Sequence, residues 1–460
     1  MSFSSRLARL DKVQAAKTAS AEALNAGTSE EAAESPSDDD AAAALPEKQV
    51  DKQAALLDDL RARMAKALAK HETKKERIRA ADDVEPSYRE ELPLETIESP
   101  SGSFERRLRA ESQGSRIGPV SLDDAMSANM PWLSVLALDE TLASCNLKGA
   151  LYLDTETTGL SGGTGTIAFL VGLAWWSEDD ERFMTELLFM PTFASEAPML
   201  EHLEMRLRAA SFLVTFNGKS FDIPLLKTRF ALNRKPFPFD GPHLDLLHVA
   251  RRLHRGRDFG VRLQALEQAL FGLERVDDIP SSQVAQAYLA WLRGGDSAPV
   301  RAVLEHNVQD VLTMVGLVAL YGRPPAESLL QGKELVSAAR TAKKAKATER
   351  EKEVLEVAEK RGLDSSFARD FHLARAAVLK GDEAWAAAAT SLEEARTWLD
   401  DDRVRLELAK VYEHRLRDAK AALGLAELGT GEGGAGEGKR KARLARKVDG
   451  ASQKKLPGMD

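Results

Sequence analysis

The chain has 460 residues, 43% hydrophobic and 30% charged, with a formal net charge of −8. It is too long for a single core and too acidic to coat nucleic acid by bulk positive charge. Its single cysteine, Cys145, excludes an intramolecular disulfide and a cysteine zinc cluster.

The start lacks the apolar stretch of a secretory signal. The longest apolar run, "IAFLVGLAWW", is about half of what a bilayer-spanning helix needs. A cytoplasmic protein without membrane association is expected. Residues 1–115 are rich in Ala, Ser, Asp, Glu and Lys, a composition that buries too little surface to offset its ordering entropy. That region is expected to be mostly disordered, with an amphipathic helix from about Gln49 to Ala81. From residue 116 the texture changes. "GALYLD", "TIAFLVGLAWW" and "RFMTELLFM" read as strands, with "SEDDE" as a turn. "SEAPMLEHLEMRLRAA" has helical spacing, "FLVTFNG" is strand-like, and largely helical patterns follow, "HLDLLHVARRLH" among them, to residue 325. This layout predicts an α/β domain, a mixed sheet flanked by helices, over residues 116–325.

Residues 326–362 read as a charged helical linker. Within residues 363–428, Ala374 and Ala409 hold matching places at a separation close to the tetratricopeptide period. A small all-α domain of helical hairpins is expected there, and it is the candidate surface for a protein partner. The glycine-rich, basic tail, residues 429–460, reads as disordered, with Lys439, Arg440, Lys441, Arg443, Arg446 and Lys447 as a generic electrostatic tether.

The chemistry starts at "LYLDTETTGL". Side chains alternate across a strand, so Asp154 and Glu156 share a face. Two neighbouring carboxylates repel unless a cation lies between them. "FNGKSFD" adds Asn217, Lys219, Phe221 and Asp222 where a second strand enters a helix. "LEHNVQDVLTMV" places His306 and Asp310 on one helical face, with Asn307 beside them. Four carboxylates so distributed can hold two divalent ions, Mg²⁺ or Mn²⁺, with His306 near the attacking water as a general base. Asp245 is either a helix N-cap or a partner of the site. Arg251, Arg252 and Arg255 form either a solvated helix end or a track for a nucleic-acid backbone.

The order Asp-x-Glu, Asn-x-x-x-Phe-Asp, then a late helix with His and Asp resembles the DEDD (DnaQ-like) 3′→5′ exonucleases, whose fold is ribonuclease-H-like. "DTETTGLSGGTGTIAFLVGLA", "FNGKSFDIPLLKTR", "DIPSSQVAQAYLAWLRGGD" and "EHNVQDVLTM" are similar, more narrowly, to the bacterial YprB-type family. The resemblance covers residues 117–325. It implies Asp154, Glu156, Asp222 and Asp310 as metal ligands, and Thr157, Thr158, Gly159 and Leu160 as holders of a terminal nucleotide. It also implies single-stranded DNA or RNA as substrate. Three residues separate His306 from Asp310, where the superfamily's histidine branch usually has four, so the general-base role of His306 stays open, with Asn307 sharing in positioning water or substrate. Asn217, Lys219, Phe221 and Asn307 are the expected nucleic-acid contacts, Asn217 and Lys219 also reading as ordinary turn chemistry. The rival expectation is a nucleic-acid-binding or scaffold protein with little turnover, acting through its helical hairpins. A phosphomonoester phosphatase is a weaker reading, since no Asp-x-Asp pair stands at the first strand.

Overall fold

Apolar alternation builds the sheet first. The computed structural model describes residues 91–159 and 165–453, so the expected helix at Gln49–Ala81 and Leu160 lie outside the described residues. Among the described residues the main strands are β1 (Glu95–Ser99), β2 (Gly102–Ala110), β5 (Ala150–Thr157), β6 (Ala168–Ser177), β7 (Arg182–Phe189), β8 (Phe212–Thr215) and β9 (His243–Asp245). A separate short ribbon pairs β3 (Arg116–Ile117) with β4 (Val120–Ser121). The seven-stranded sheet runs β1-β2-β7-β6-β5-β8-β9, with β5, β8 and β9 parallel and the rest antiparallel. The expected mixed sheet flanked by helices is present.

Helices cover both faces, as the continuous apolar run of β6 requires. They are α1 (Met130–Ala137), α2 (Glu196–Ala209), α3 (Asp222–Leu232), α4 (Leu246–Leu253), α5 (Leu263–Leu266), α6 (Ser281–Leu292) and α7 (Ala298–Tyr321). Leu151 and Leu153 of β5 enter one core cluster with Met199 and Leu203 of α2, whereas Ala150 and Tyr152 enter the other with Val249 of α4 and Met314 of α7. Asp154 and Glu156 therefore continue the face of Tyr152. Helix α7 is long and apolar enough to cross a bilayer; here its apolar sides are buried in the two core clusters.

Four expectations are corrected. The folded domain begins before residue 116, because β1 and β2 extend the sheet through β7; their charged sequences, "ETIES" and "GSFERRLRA", hide an edge strand and its neighbour, which pair by backbone. His243–Asp245, read as helical, is the parallel strand β9. The charged linker is a hairpin of α8 (Gly332–Lys344) and α9 (Thr348–Lys360). Its stripe of Leu335, Ala338, Ala339, Val354 and Ala358 is buried in the same cluster as the sheet, and among its charged residues Glu334 and Glu351 are buried with it.

The fourth correction is the tail. Hairpins α10 (Ala368–Gly381) with α11 (Trp385–Trp398), and α12 (Asp402–Val411) with α13 (Ala419–Glu427), are followed by α14 (Gly434–Gln453). Leu444 packs on Ala422 and Ala426. The basic residues are not a free tether: Arg440, Arg443 and Lys447 converge at 3.0, 2.7 and 2.9 Å on the Glu413 carboxylate, whose side chain is fully buried. Burial would raise the Glu413 pKa, but hydrogen bonds from Arg443 and Lys447 outweigh it and hold it at about 2. Glu413→Gln leaves three cations without their shared carboxylate and should release α14, seen as several-fold faster trypsin cleavage after Arg443 and Lys447. Unchanged cleavage would show that Leu444 alone holds the helix.

Candidate active site

Strand β5 ends at the centre of the sheet, where its last carboxylates meet two helices. Asp154 pairs in register with Gly172 of β6. A Cβ on Gly172 would lie 1.8 Å from the Asn307 Oδ1 atom, so the missing side chain is what lets α7 lie this close. From α7, the Asn307 amide donates to Asp154 Oδ2 at 2.7 Å. Asp222, at the start of α3, is 6% exposed and accepts from the Thr155 hydroxyl. His306 and Asp310 come in from α7. The His306 Nε2 atom lies 3.6 Å from Glu156 Oε1 and 3.4 Å from Asp310 Oδ2. The structure thus brings Asp154, Glu156, Asp222, His306 and Asp310 together.

The electrostatics are those of negative charge that Arg275 compensates only in part. Burial, then the charges of Asp310, Asp222 and Glu156, pushes the Asp154 carboxyl well above the usual range. Burial followed by Asp310 and Asp222 moves Glu156 up to about 8. Burial raises Asp222 to about 6 against the opposing hydrogen bond from Thr155. Burial also raises Asp310, although Arg275 and His306 work the other way. Buried carboxylate oxygens with this charge deficit suit a hard divalent cation. Among the described residues, one ligand atom each from Glu156, His306 and Asp310 lie within 4.8 Å of one another, close enough to surround an ion.

Two grooves open on this centre. One, of about 410 Å³, is lined by Glu156, Thr157, Gly159, Phe221, Asp222 and Leu225, among others. Phe221, 61% exposed, stands at its rim. Thr157 donates to the Gly159 carbonyl at 3.0 Å, and the Thr158 hydroxyl accepts from the Ile167 amide at 3.1 Å, so both threonines brace the loop. The other, of about 1000 Å³, includes Asp154, Asn217, Arg251, Arg262, Gln264 and Asp310 in its walls.

Several expected contacts have other uses. Asn307 is fully buried and committed to Asp154, so it has no surface to offer a nucleic acid. The Arg252 guanidinium donates to the Leu136 carbonyl at 3.0 Å and anchors α1, while Arg255 is exposed and Arg251 faces the larger groove. Lys219 turns its ammonium to Asp139, 3.7 Å away. Asn217 adopts a left-handed φ of 69°. Asp245 caps α4 through the Leu247 amide and also accepts from the Asn217 and Lys219 amides, tying the turn after β8 to the next helix.

Sequence reading missed Glu267, Arg275 and Asp278. Glu267 opens a π-helical turn (Glu267–Phe271) after α5 and is fully buried. Arg275 donates to both Glu267 oxygens at 2.6 Å and to Asp310 Oδ1. His306 Nδ1 lies 2.7 Å from Asp278 Oδ1. The one available signal was an arginine inside the acidic run "LERVDD", which has no periodic pattern to mark it.

Residues 151–321 match the RNase_H_2 family, described as RNase_H superfamily. The uncharacterized protein YprB of Bacillus subtilis (strain 168) is 35% identical over 174 residues, which is 37% of this chain and 41% of that protein. The chain thus spans about two fifths of that curated relative's length. Among solved structures, the family B DNA polymerase from the hyperthermophilic archaeon Pyrobaculum calidifontis is similar at 15% identity and a TM-score of 0.29, covering 50% of this chain and 28% of that one. The sheet and its helices form a ribonuclease-H-like domain.

Proposed function

We propose that this ribonuclease-H-like domain is a divalent-metal-dependent nuclease of the DEDD type, hydrolysing phosphodiester bonds of single-stranded DNA or RNA from the 3′ end. The observation that carries the reading is the convergence of Asp154, Glu156, Asp222 and Asp310 beside His306, with carboxyl groups held above their ordinary range. Asp154, Glu156, Asp222 and Asp310 are the proposed ligands of Mg²⁺ or Mn²⁺, two ions once a substrate phosphate is in place. Bound there, such ions activate water and neutralise charge on the phosphate.

The chain's own groups do the rest. His306 Nδ1–H donating to Asp278 leaves the Nε2 lone pair facing Glu156 and Asp310, where it can take a proton from water. Phe221 offers a face on which a terminal base stacks, with Thr157, Thr158 and Gly159 forming the adjoining wall. Arg251 and Arg262 give the larger groove a positive flank for the remaining backbone. The helical hairpins beyond residue 363 are proposed as a tetratricopeptide-like docking surface for a protein partner, in a cytoplasmic protein.

The test uses a 5′-labelled single strand, a copy blocked by a 3′-phosphate and a closed circle, each with Mn²⁺ and with chelator. A metal-dependent ladder of shortening products from the open strand alone is expected. Cleavage of the circle would replace the exonuclease with an endonuclease. Retention of intact strand on a gel under every condition would favour a binding protein with little turnover.

A further inference from the structure

A buried arginine among proposed metal ligands needs a reason. Arg275 lies in the loop between the π-helical turn and α6, and its side chain is 10% exposed. Its Nε and Nη2 atoms grip the Glu267 carboxylate through two bonds of 2.6 Å. Glu267 is itself immobilised, because it is fully buried and its Oε1 also accepts from the Thr313 hydroxyl of α7. The pair is planar and two-pronged, so the guanidinium is fixed in orientation. It then extends past Glu267: Nη2 also donates to Asp310 Oδ1, and Nη1 lies 3.0 Å from His306 Nδ1 and 3.6 Å from Asp278 Oδ2. His306 Nδ1 is closer to Asp278, which leaves Arg275 beside the ring as a neighbouring charge.

A structural arginine would be satisfied by Glu267 alone. This one places a permanent unit charge at hydrogen-bond distance from Asp310, and only Oδ2 of that carboxylate still faces Glu156 and His306. A divalent ion seeking to share Oδ1 meets the guanidinium directly. In a poorly screened site, repulsion at such range weakens binding by more than about tenfold.

Resting on the metal-nuclease reading above, we infer that Arg275 is a resident cation of the acidic centre. It supplies at Asp310 one of the positive charges that the carboxylates require, and limits the substrate-free protein to a single divalent ion. Glu267 is the residue that positions it. Removing the guanidinium charge opens Asp310 Oδ1 and admits a second ion without substrate.

The test is calorimetric titration of the metal-free, full-length chain with Mn²⁺, with circular dichroism confirming the fold of each variant. Wild type should take one ion per chain, Arg275→Gln two, and Arg275→Lys, which keeps the charge, one. Because Arg275→Gln strands a buried Glu267, the double variant Arg275→Gln with Glu267→Gln keeps a hydrogen-bonded amide pair in the same space and should also take two. Equal counts in wild type and the double variant would overturn the inference while leaving the metal centre standing. Failure of wild type to take up any Mn²⁺ would overturn the metal-centre reading and this inference together.

Discussion

Asp154→Ala abolishes metal-dependent strand cleavage, by at least about a thousandfold, if Asp154 is a ligand of the reacting centre. Asp154 is also the acceptor for the buried Asn307 amide, which stands against the bare backbone of Gly172. Alanine therefore removes one oxygen donor and loosens the helix that carries His306 and Asp310. Melting of the metal-free variant separates lost chemistry from lost fold. Burial, then the charges of Asp310, Asp222 and Glu156, raises the Asp154 pKa, so removing its charge relieves both costs in the metal-free state. Asp154→Asn removes the charge but keeps an acceptor for the Asn307 amide, so its metal-free melting temperature should equal or exceed that of wild type, and Mn²⁺ should no longer raise it by as much. Equal degradation by wild type and Asp154→Ala would end the nuclease assignment.

The second large effect is a pH dependence opposite to that of most folded proteins. The Glu156 carboxyl, ordinarily near 4.5, is moved up to about 8 chiefly by burial. Between these limits the folded state holds a proton that the unfolded state has released, so stability falls as pH rises through the folded pKa. The loss from this one group approaches ~5 kcal/mol as an upper bound. Asp222, raised to about 6, acts in the same direction at lower pH. His243 works in the opposite sense, since burial lowers its pKa to about 4, and burial lowers His372 likewise; above pH 6.5 less than half of either remains protonated in the unfolded state, so their opposing contribution is small. Between pH 6.5 and 8 the acidic centre therefore outweighs them. Metal-free protein should melt progressively lower across it, and Mn²⁺, which binds the deprotonated carboxylates, should raise the melting temperature more at pH 8 than at pH 6.5. A flat or rising melting curve for the metal-free chain would show that these carboxylates are not burdened with mutual repulsion.

The two effects are linked through the same few atoms, and the linkage constrains their interpretation. A variant that loses cleavage but keeps the falling melting curve has lost chemistry without losing the charge cluster. Asp278→Asn is such a case in principle, because it faces His306 Nδ1 and leaves the four proposed ligands in place.

Much of this molecule was open to inspection in its residues. The apolar alternation of β5, β6 and β7 and the helical spacing of α2 and α7 depend on neighbours two to four residues away, and local periodicity reports them directly. The order Asp154, Glu156, Asp222, His306, Asp310 was legible for a related reason: chemistry-bearing residues stood out against apolar flanks. What escaped was whatever is decided by pairing across space. Strands β1 and β2 carry charged side chains and join the sheet through backbone bonds to β7, which leave no compositional trace. Helix α14 looked like a free basic tail until Glu413, buried in a turn of an earlier hairpin, gathered three of its cations. Asn307 read as a surface contact because its burial depends on Gly172 of a strand far away in the chain. Arg275 and Glu267 carry no periodic signal; their meaning arises where a π-helical turn delivers them to Asp310. The sequence alone thus determined which groups are available and along which local faces they lie. Only the tertiary structure decided which charges meet, because Coulomb and hydrogen-bond energies depend on distance in space and are indifferent to separation along the chain.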